Sequence, residues 1–212
     1  MVLNNSMKSE LISLTDIDNF LYITDFFDDN HLSEIFKEIN FLTNSENKLF
    51  WSGVKNSGTA KDSKDNFLAN KKKLLHLDTF YNFKKIDRDV SAYFQYYKKC
   101  SQPLLGAKLS GVWNYVNIVN NNFTALAKYK NNSYYNSHFD SSIFTQLVWV
   151  NEPDHIVQGG DLMFDDFNHR VPYRNNTCIL FPGYFRHSVT KVIAQKKHYR
   201  YCFITFYTIE KS

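Results

Sequence analysis

The sequence is short of cysteine, and the few cysteines it has are not arranged in pairs. Cys100, Cys178 and Cys202 are the three cysteines among 212 residues, and they lie far apart along the chain. An odd number at such spacing argues against a disulfide scaffold and against a zinc knuckle, which needs closely spaced pairs. We therefore expect a protein of a reducing compartment.

The sequence also lacks a strong excess of one charge. Its 25 Lys and Arg residues against 21 Asp and Glu residues leave a formal net charge of +4. A protein dedicated to nucleic acids is usually more basic than this, so no nucleic-acid partner is expected.

Long apolar runs are missing as well. No run of 18 apolar residues occurs, and the first eleven residues contain Asn4, Lys8 and Glu10 where a signal peptide would have an apolar segment. We expect a soluble, cytoplasmic protein without a membrane partner.

The composition is sufficient for a sizeable core. Hydrophobic residues make up 43% of the chain and aromatic residues 17%, which predicts a single domain over residues 1–212. The pattern changes near residue 103, with helix-like segments before it and short alternating segments after it. We interpret this change as two layers within one domain.

Two helices and a long loop are predicted before residue 103. Apolar side chains recur at helical spacing after three N-cap candidates, Asp28, Asp29 and Asn30, and again between Phe83 and Lys99. Residues 51–73 are rich in Gly, Ser, Asn, Asp and Lys and follow neither period, which is typical of a lid. Residues 1–102 are thus expected to supply helical support and a mobile lid loop.

Seven strands are predicted after Pro103. They span residues 111–119, 123–129, 144–150, 160–164, 177–181, 187–193 and 199–207. So many short strands in about a hundred residues predict a sandwich or barrel. The last strand is apolar on both faces, with Cys202 and Ile204 on one and Tyr201 and Phe203 on the other, which predicts a place near the centre of a sheet.

A candidate metal site begins at His138-Phe139-Asp140. On a strand, residues i and i+2 project from the same face and can bind one metal ion together. The rival triplet His76-Leu77-Asp78 has no further partner, whereas His187 follows Phe181-Pro182-Gly183 and opens another predicted strand. Two histidines and one carboxylate form the facial triad of non-haem Fe(II) oxygenases.

Arg200 lies in the otherwise apolar last strand, where a buried guanidinium needs an anion. Asp161, Asp165 or Asp166 could supply the anion within the protein. Beside the triad, a bound dicarboxylate is the favoured partner, since arginine binds carboxylate in a bidentate fork. The run Lys71-Lys72-Lys73 is interpreted as solvated, with a role in steering an anionic substrate or cofactor as the alternative.

The order of these motifs resembles that of the Fe(II)/2-oxoglutarate-dependent oxygenases, in the prolyl 4-hydroxylase-like branch. The resemblance covers roughly residues 105–210, and residues 22–27 and 58–78 resemble small bacterial and phage members more weakly. It rests on Tyr129, Tyr135, His138-Phe139-Asp140, Thr145, Trp149-Val150-Asn151, Gly159-Gly160-Asp161-Leu162, Phe181-Pro182-Gly183, His187-Ser188-Val189 and Arg200.

The resemblance implies a double-stranded β-helix, or jelly-roll, core in residues 103–212, in a mainly β fold with amino-terminal helices packed on one sheet. It implies Fe(II), 2-oxoglutarate and O2 as cofactor and co-substrates, with ascorbate as a candidate reductant. The implied iron ligands are His138, Asp140 and His187. Arg200 would bind the distal carboxylate of 2-oxoglutarate, with Lys191 as a minor rival because the interval from His187 to Arg200 is longer than usual.

Three aromatic residues are implied on the cofactor side of the pocket. They are Tyr129, Tyr135 and Trp149, the last of which occupies a position where some relatives have a hydrogen-bonding tyrosine. Because halogenating relatives have a small residue in place of the carboxylate ligand, Asp140 favours hydroxylation.

The implied substrate is a prolyl residue in a peptide or protein. A free amino acid or another small metabolite is the alternative substrate. A nucleic-acid dealkylase with the same cofactor and a non-catalytic jelly-roll binding protein are the alternative functions.

Overall fold

A computed structural model describes residues 7–97 and 111–210 of the chain. Within these residues most of the regular structure is β-strand, and every strand pair is antiparallel. None of the helices there has the length and apolar character needed to cross a bilayer.

The strands form two main sheets and one isolated pair. The larger sheet has the spatial order β1 (Lys8–Ser13), β2 (Asn19–Thr24), β12 (Thr177–Pro182), β8 (Phe144–Val150), β15 (Arg200–Thr208), β6 (Asn121–Tyr129), β5 (Lys73–His76) and β3 (Ser52–Gly53). The smaller sheet has the order β11 (His169–Val171), β10 (Leu162–Phe164), β13 (His187–Val189), β7 (Tyr134–His138) and β4 (Ala69–Asn70). The isolated pair is β9 (Val157–Gly159) with β14 (Val192–Ala194).

The two sheets enclose one of two apolar clusters. Ala127, Leu147 and Ile204 from the larger sheet pack in the same cluster as Leu162 and Val189 from the smaller one. The arrangement is a jelly-roll core, and the predicted mainly β fold with flanking helices is confirmed.

The second apolar cluster lies between the outer face of the larger sheet and the helices. Helix α1 (Asp29–Thr43) buries Ile35 and Ile39 there, and α2 (Leu77–Lys84) buries Phe80. The carboxylate of Asp28 accepts a hydrogen bond from the His31 amide at 2.8 Å and caps α1, as the sequence predicts. The helices therefore support the sheet from the side opposite the smaller sheet.

Strand β15 divides its side chains between the two clusters. Cys202 and Ile204 face the smaller sheet, and Tyr201 and Phe203 face the helices. Because β15 is hydrogen-bonded to β6 on one side and β8 on the other, the predicted central position is confirmed.

Three predicted elements are wrong. The strand predicted over residues 187–193 is divided into β13 and β14, which lie in different sheets. In place of the strand predicted over residues 111–119, a 3-10 helix spans Gly111–Ile118. The predicted helix from Phe83 to Lys99 is interrupted, because α2 ends at Lys84, Lys85 adopts left-handed backbone geometry and a separate 3-10 turn spans Arg88–Val90. Residues 92–97 are helical, and the predicted helix end at Lys99 lies outside the described residues.

Candidate active site

Three predicted ligand side chains meet between two strands of the smaller sheet. His138 is the last residue of β7, His187 is the first of β13, and they are direct cross-strand partners. Asp140 lies two residues beyond the end of β7 and not on the strand itself. The Nε2 atoms of His138 and His187 lie 3.8 and 3.7 Å from the Asp140 carboxylate. One ligand atom from each residue lies within 4.8 Å of the others, which suits a single metal ion.

Backbone carbonyls orient both imidazoles. The Nδ1 of His138 lies 2.8 Å from the carbonyl oxygen of Asn136, and the Nδ1 of His187 lies 2.9 Å from that of Phe185. Nδ1 is therefore the protonated nitrogen that donates, and the Nε2 lone pairs point toward Asp140. Burial and the neighbouring His187 lower the pKa of His138 to about 4, so its imidazole is neutral, as a metal ligand must be.

The carboxylate of Asp140 is held by a neighbouring hydroxyl. Thr145 Oγ1 donates a hydrogen bond to Asp140 Oδ2 at 2.6 Å, and Thr145 also contacts Ser142 Oγ at 2.9 Å. Such a bond fixes the carboxylate rotamer, in which Oδ1 lies nearest to His138 and Oδ2 nearest to His187.

Gly183 permits the backbone contact that positions Asp140. The Asp140 amide donates to the Gly183 carbonyl at 3.0 Å, and the Gly183 amide donates to that of Ile143 at 2.8 Å. A Cβ at Gly183 would lie 2.0 Å from the Ser142 carbonyl oxygen, far inside van der Waals contact. The Phe181-Pro182-Gly183 motif thus acts through this close approach.

Arg200 is buried and forms no ion pair with any residue in the ranges 7–97 and 111–210. It is 1% exposed, and its Nε and Nη1 atoms have no hydrogen-bond partner within the described residues. Its guanidinium carbon lies 5.0 Å from the ring centres of Tyr129 and Trp149 and 5.1 Å from that of Tyr173. Aromatic faces stabilise the cation only in part, so the site requires an anion.

The internal carboxylates considered from the sequence are engaged elsewhere. Asp161 forms a two-point contact with Arg170, with distances of 2.9 and 2.6 Å. Asp165 accepts from Ser188 Oγ at 2.8 Å, and Asp166 lies 3.7 Å from Arg186. None of these three aspartates pairs with Arg200, so the structure does not support an internal carboxylate among them as its partner.

Gly160 provides the space that Arg200 occupies. Its φ is +71°, and a Cβ there would lie 3.2 Å from Arg200 Cδ and 2.8 Å from Val192 Cγ2. This glycine is required both by its backbone geometry and by the adjacent arginine.

One cavity of about 410 Å³ brings the metal ligands and Arg200 together. Tyr129 and Tyr135 line it, as predicted from the resemblance, while Trp149 packs beside the guanidinium and is not in the cavity wall. Burial raises the pKa of Tyr129, although the Arg200 charge opposes this shift, so the phenol is a neutral hydrogen-bond donor.

Part of the predicted lid loop forms one wall of this cavity. Ser57, Gly58 and Ala60 line it, and the Ala60 amide donates to the Tyr135 hydroxyl at 3.0 Å. Strand β4, later in the same loop, pairs with β7. The loop therefore contacts the strand that carries His138.

The prediction that Lys72 is solvated is wrong. Lys72 is 5% exposed, lines the cavity and places its ammonium 4.2 Å from the centre of the Tyr135 ring. Burial lowers the pKa of Lys72 to about 8, with the Asp140 charge acting in the opposite direction. Lys72 and Leu74 are two residues apart and share the inner face, which is the sequence signal that could have revealed this.

The rival cation and the rival metal pair considered from the sequence do not form part of the triad site. Lys191 is exposed and does not line the cavity. His76 lines the cavity, but Asp78 pairs with Arg88 at 2.5 Å and accepts from the Thr124 amide at 2.7 Å. Tyr173, which no sequence pattern singles out, completes the aromatic surround of Arg200.

An open apolar groove of about 570 Å³ adjoins the cavity. Phe139, Asp140, Ser141 and Ser142 line both spaces. The groove continues over exposed apolar side chains, which include Tyr115, Ile118, Tyr184 and Ile209. An exposed apolar surface of this kind beside a buried site is typical of a binding surface.

Comparisons with known proteins show the fold. A prolyl hydroxylase from Trichoplax adhaerens, solved in complex with a hypoxia inducible factor oxygen degradation domain peptide fragment, is similar with a TM-score of 0.62 and 16% identity, covering 89% of this chain and 83% of that one. A prolyl-4-hydroxylase from Pseudomonas putida is similar with a TM-score of 0.54 and 12% identity, over 92% of this chain and 94% of that one.

A third solved structure, a 2OG-Fe(II) oxygenase family oxidoreductase from Burkholderia pseudomallei, has a TM-score of 0.54 and 13% identity, over 91% of this chain and 86% of that one. No protein-family model and no curated protein matches the sequence. The fold is thus that of the oxygenases whose motifs the sequence resembles, at an identity that leaves the chemistry to the site itself.

Proposed function

We propose that this protein is an Fe(II)- and 2-oxoglutarate-dependent dioxygenase that hydroxylates an unactivated C–H bond of a prolyl residue in a peptide or protein. The observation that carries the proposal is the buried Arg200, whose Nε and Nη1 have no hydrogen-bond partner in the described part of the chain, in the same cavity as the triad of two histidines and one carboxylate.

His138, Asp140 and His187 would hold the iron. Two imidazoles and one carboxylate suit Fe(II), and they leave positions open for a chelating co-substrate and O2. Asp140 favours hydroxylation, because its carboxylate occupies the position that a halogenating enzyme needs for halide.

Arg200 would bind the distal carboxylate of 2-oxoglutarate. The Nε and Nη1 atoms, which have no hydrogen-bond partner within the described residues, can each donate a hydrogen bond to a carboxylate, and the surrounding rings exclude water. Tyr129 lines the same cavity with a neutral hydroxyl. The residues present therefore fit this co-substrate.

When bound, the iron centre supplies the oxidation, in which 2-oxoglutarate, O2 and R–H yield succinate, CO2 and R–OH. The chain's own residues keep this chemistry productive. Thr145 fixes Asp140, the backbone carbonyls of Asn136 and Phe185 fix the imidazoles, and the loop at Ser57 to Ala60 covers one side of the cavity. A covered cavity excludes water from the reacting C–H bond.

The adjoining apolar groove favours a peptide over a free metabolite. A small amino acid would fill only the cavity, whereas a chain whose reacting residue enters the cavity would rest its neighbours on Tyr115 and Ile118. A prolyl residue suits an apolar entrance, and the similar Trichoplax adhaerens enzyme was solved with a peptide. A free amino acid or other metabolite is the alternative substrate.

The test is a screen of proline-containing peptides with the iron-loaded full chain, which follows succinate formation and the gain of one oxygen atom by the peptide. We expect peptide hydroxylation coupled to succinate formation, and we expect His138→Ala and His187→Ala to abolish both. Ile118→Ser should raise the KM for the peptide. Ile17→Ser is the control and should leave this KM unchanged, because the Ile17 side chain is exposed and outside the groove. Retained turnover in the histidine variants would contradict the assignment. Turnover of free proline with no peptide turnover would assign the metabolite alternative, and an iron-loaded chain that forms no succinate with any substrate would support a binding protein.

A further inference from the structure

A second cavity of about 410 Å³ lies on the opposite face of the larger sheet from the candidate active site. Tyr129 and Arg200, direct partners on β6 and β15, line the active-site cavity. Their chain neighbours Lys128 and Tyr199 line the second cavity. The alternation of side chains along a strand accounts for this division. We call the second space the lysine cavity.

Lysine side chains from three segments converge on the lysine cavity. Its lining contains no carboxylate, and it consists of Thr43, Ser45, Lys48, Trp51, Lys71, Lys73, Lys128, Lys130 and Tyr199. Within the described residues, none of the five lysines forms an ion pair within 4 Å. The cavity therefore carries a concentrated positive charge that this part of the chain leaves unmatched.

The arrangement is unfavourable for folding alone. Lys73 and Lys128 are direct cross-strand partners, and like charges in that position repel. Burial lowers the pKa of Lys128, the charge of Glu152 opposes that shift, and the charge of Lys73 adds to it. Glu152 is shared with His155, whose Nε2 lies 3.7 Å from its carboxylate. A bound anion would relieve the repulsion between the lysines.

The end of helix α1 does not account for the lysines. Its Phe41 carbonyl accepts from the Asn47 side chain at 2.9 Å, and its Leu42 carbonyl accepts from Trp51 Nε1 at 2.8 Å. These bonds satisfy the carbonyls that lysines often bind at a helix end. The ammonium groups thus remain available to a ligand.

The shape and walls of the lysine cavity select a compact ligand. Its volume is in the range of small-molecule sites and not of an extended groove. The bond from Trp51 Nε1 to Leu42 fixes the indole, and Lys128 lies 3.8 Å above the centre of the Tyr199 ring. Two aromatic walls and two hydroxyls, of Thr43 and Ser45, accompany the five ammonium groups.

We propose that the lysine cavity binds a compact oligophosphate, such as the triphosphate of a nucleotide. Five ammonium groups match the several negative charges of an oligophosphate better than the single charge of a monocarboxylate, and lysine is a common phosphate ligand in proteins. The hydroxyls supply further donors, and the indole supplies an apolar wall for a base.

The test is isothermal titration of the metal-free full chain with tripolyphosphate and, separately, with ATP. We expect saturable binding of tripolyphosphate that weakens as salt rises and weakens about tenfold or more in Lys73→Gln/Lys130→Gln. The matched control is Lys37→Gln/Lys196→Gln, which removes two exposed lysines outside the cavity and should bind as the unaltered chain does. Tighter binding of ATP would assign a nucleotide, and equal binding would assign the oligophosphate alone.

Three results would overturn the proposal. The first is that tripolyphosphate shows no saturable binding. The second is an equal loss of tripolyphosphate affinity in the control variant. The third is a loss of affinity in Arg200→Met but not in Lys73→Gln/Lys130→Gln, which would place the anion in the active-site cavity. Tighter binding of a single-stranded oligonucleotide, with the same lysine dependence, would replace it with a nucleic-acid surface. Because the titration needs neither iron nor turnover, its outcome is independent of the proposed oxygenase activity.

Discussion

His187 lies directly across from His138 in the ladder of β7 and β13, with the two ring centres 4.3 Å apart. This register places both Nε2 atoms on the side where Asp140 leaves the end of β7. A slip of one residue would turn one imidazole to the other face of the sheet. The pairing of two short strands, and not a single local motif, therefore assembles the metal site.

Removing the hydroxyl that holds Asp140 should weaken metal binding. In Thr145→Val the 2.6 Å hydrogen bond to Asp140 Oδ2 is lost, while the side-chain volume is nearly kept. We expect the affinity for Fe(II) or Mn(II) to fall about 10- to 100-fold, as for other partners of metal ligands. Anaerobic metal titration measures it.

Thr205→Val is the matched control for this experiment. Thr205 is fully buried and its hydroxyl lies 3.0 Å from that of Thr124, away from the ligands. We expect a loss of stability on thermal unfolding with metal affinity unchanged. Equal metal affinity in Thr145→Val and the unaltered chain would show that Asp140 is positioned without Thr145.

A methyl group at Gly160 should displace Arg200 and leave the metal site intact. The new Cβ would contact Arg200 Cδ and Val192 Cγ2, and a left-handed residue with a Cβ adds strain of about 1–3 kcal/mol. We expect Gly160→Ala to weaken 2-oxoglutarate binding while Fe(II) affinity stays the same. Gly53→Ala, where a Cβ meets nothing within 4 Å, is the control. Unchanged 2-oxoglutarate affinity in a folded Gly160→Ala protein would contradict the role assigned to Gly160.

The sequence was most informative about the site at residues whose side chains are stable in only a few environments, such as an arginine within an apolar strand. Arg200 in an apolar strand and His138 near Asp140 predicted a charged site in a β core, and the structure brings them into one cavity. The alternation along residues 199–207 predicted a central strand, β15, because alternation directly reflects the two faces of a sheet.

The environment of a residue was harder to predict where a polar side chain is buried. A run of three lysines is usually solvated, and Lys71 and Lys73 are exposed at the lysine cavity, yet Lys72 between them is buried and lines the active-site cavity. The alternation of side chains along a strand separates Lys72 from Lys71 and Lys73, but a local sequence pattern does not show that either face borders a cavity. The apolar segment at 111–119 predicts a strand because short apolar runs fit both periods, whereas Gly111–Ile118 forms a 3-10 helix.

Lys72 should make stability depend on pH in the alkaline range. Its pKa is about 8 in the folded protein and about 10.5 when unfolded, so between these values the unfolded chain binds more protons and stability rises with pH. The difference in unfolding free energy across this window is about 3 kcal/mol. Urea unfolding of the metal-free protein at several pH values measures it.

Lys72→Met should remove this rise, and Lys73→Met, at an exposed neighbour, should retain it. Comparing each variant with the unaltered chain cancels the contributions of the buried tyrosines and Cys202, which titrate at similar or higher pH. An identical pH profile in Lys72→Met would mean that the ammonium reaches solvent.

The central claim is that Arg200 binds the distal carboxylate of 2-oxoglutarate chelated at the triad. Anaerobic titration of the protein with Fe(II) and 2-oxoglutarate, followed by the visible metal-to-ligand charge-transfer band, measures it directly. Arg200→Met keeps an apolar side chain against the three rings, and Lys191→Ala tests the rival cation. We predict a band in the unaltered chain and in Lys191→Ala, and an affinity for 2-oxoglutarate about 100-fold weaker in Arg200→Met. A folded, iron-loaded chain without the band, or equal affinity in Arg200→Met, would contradict the account.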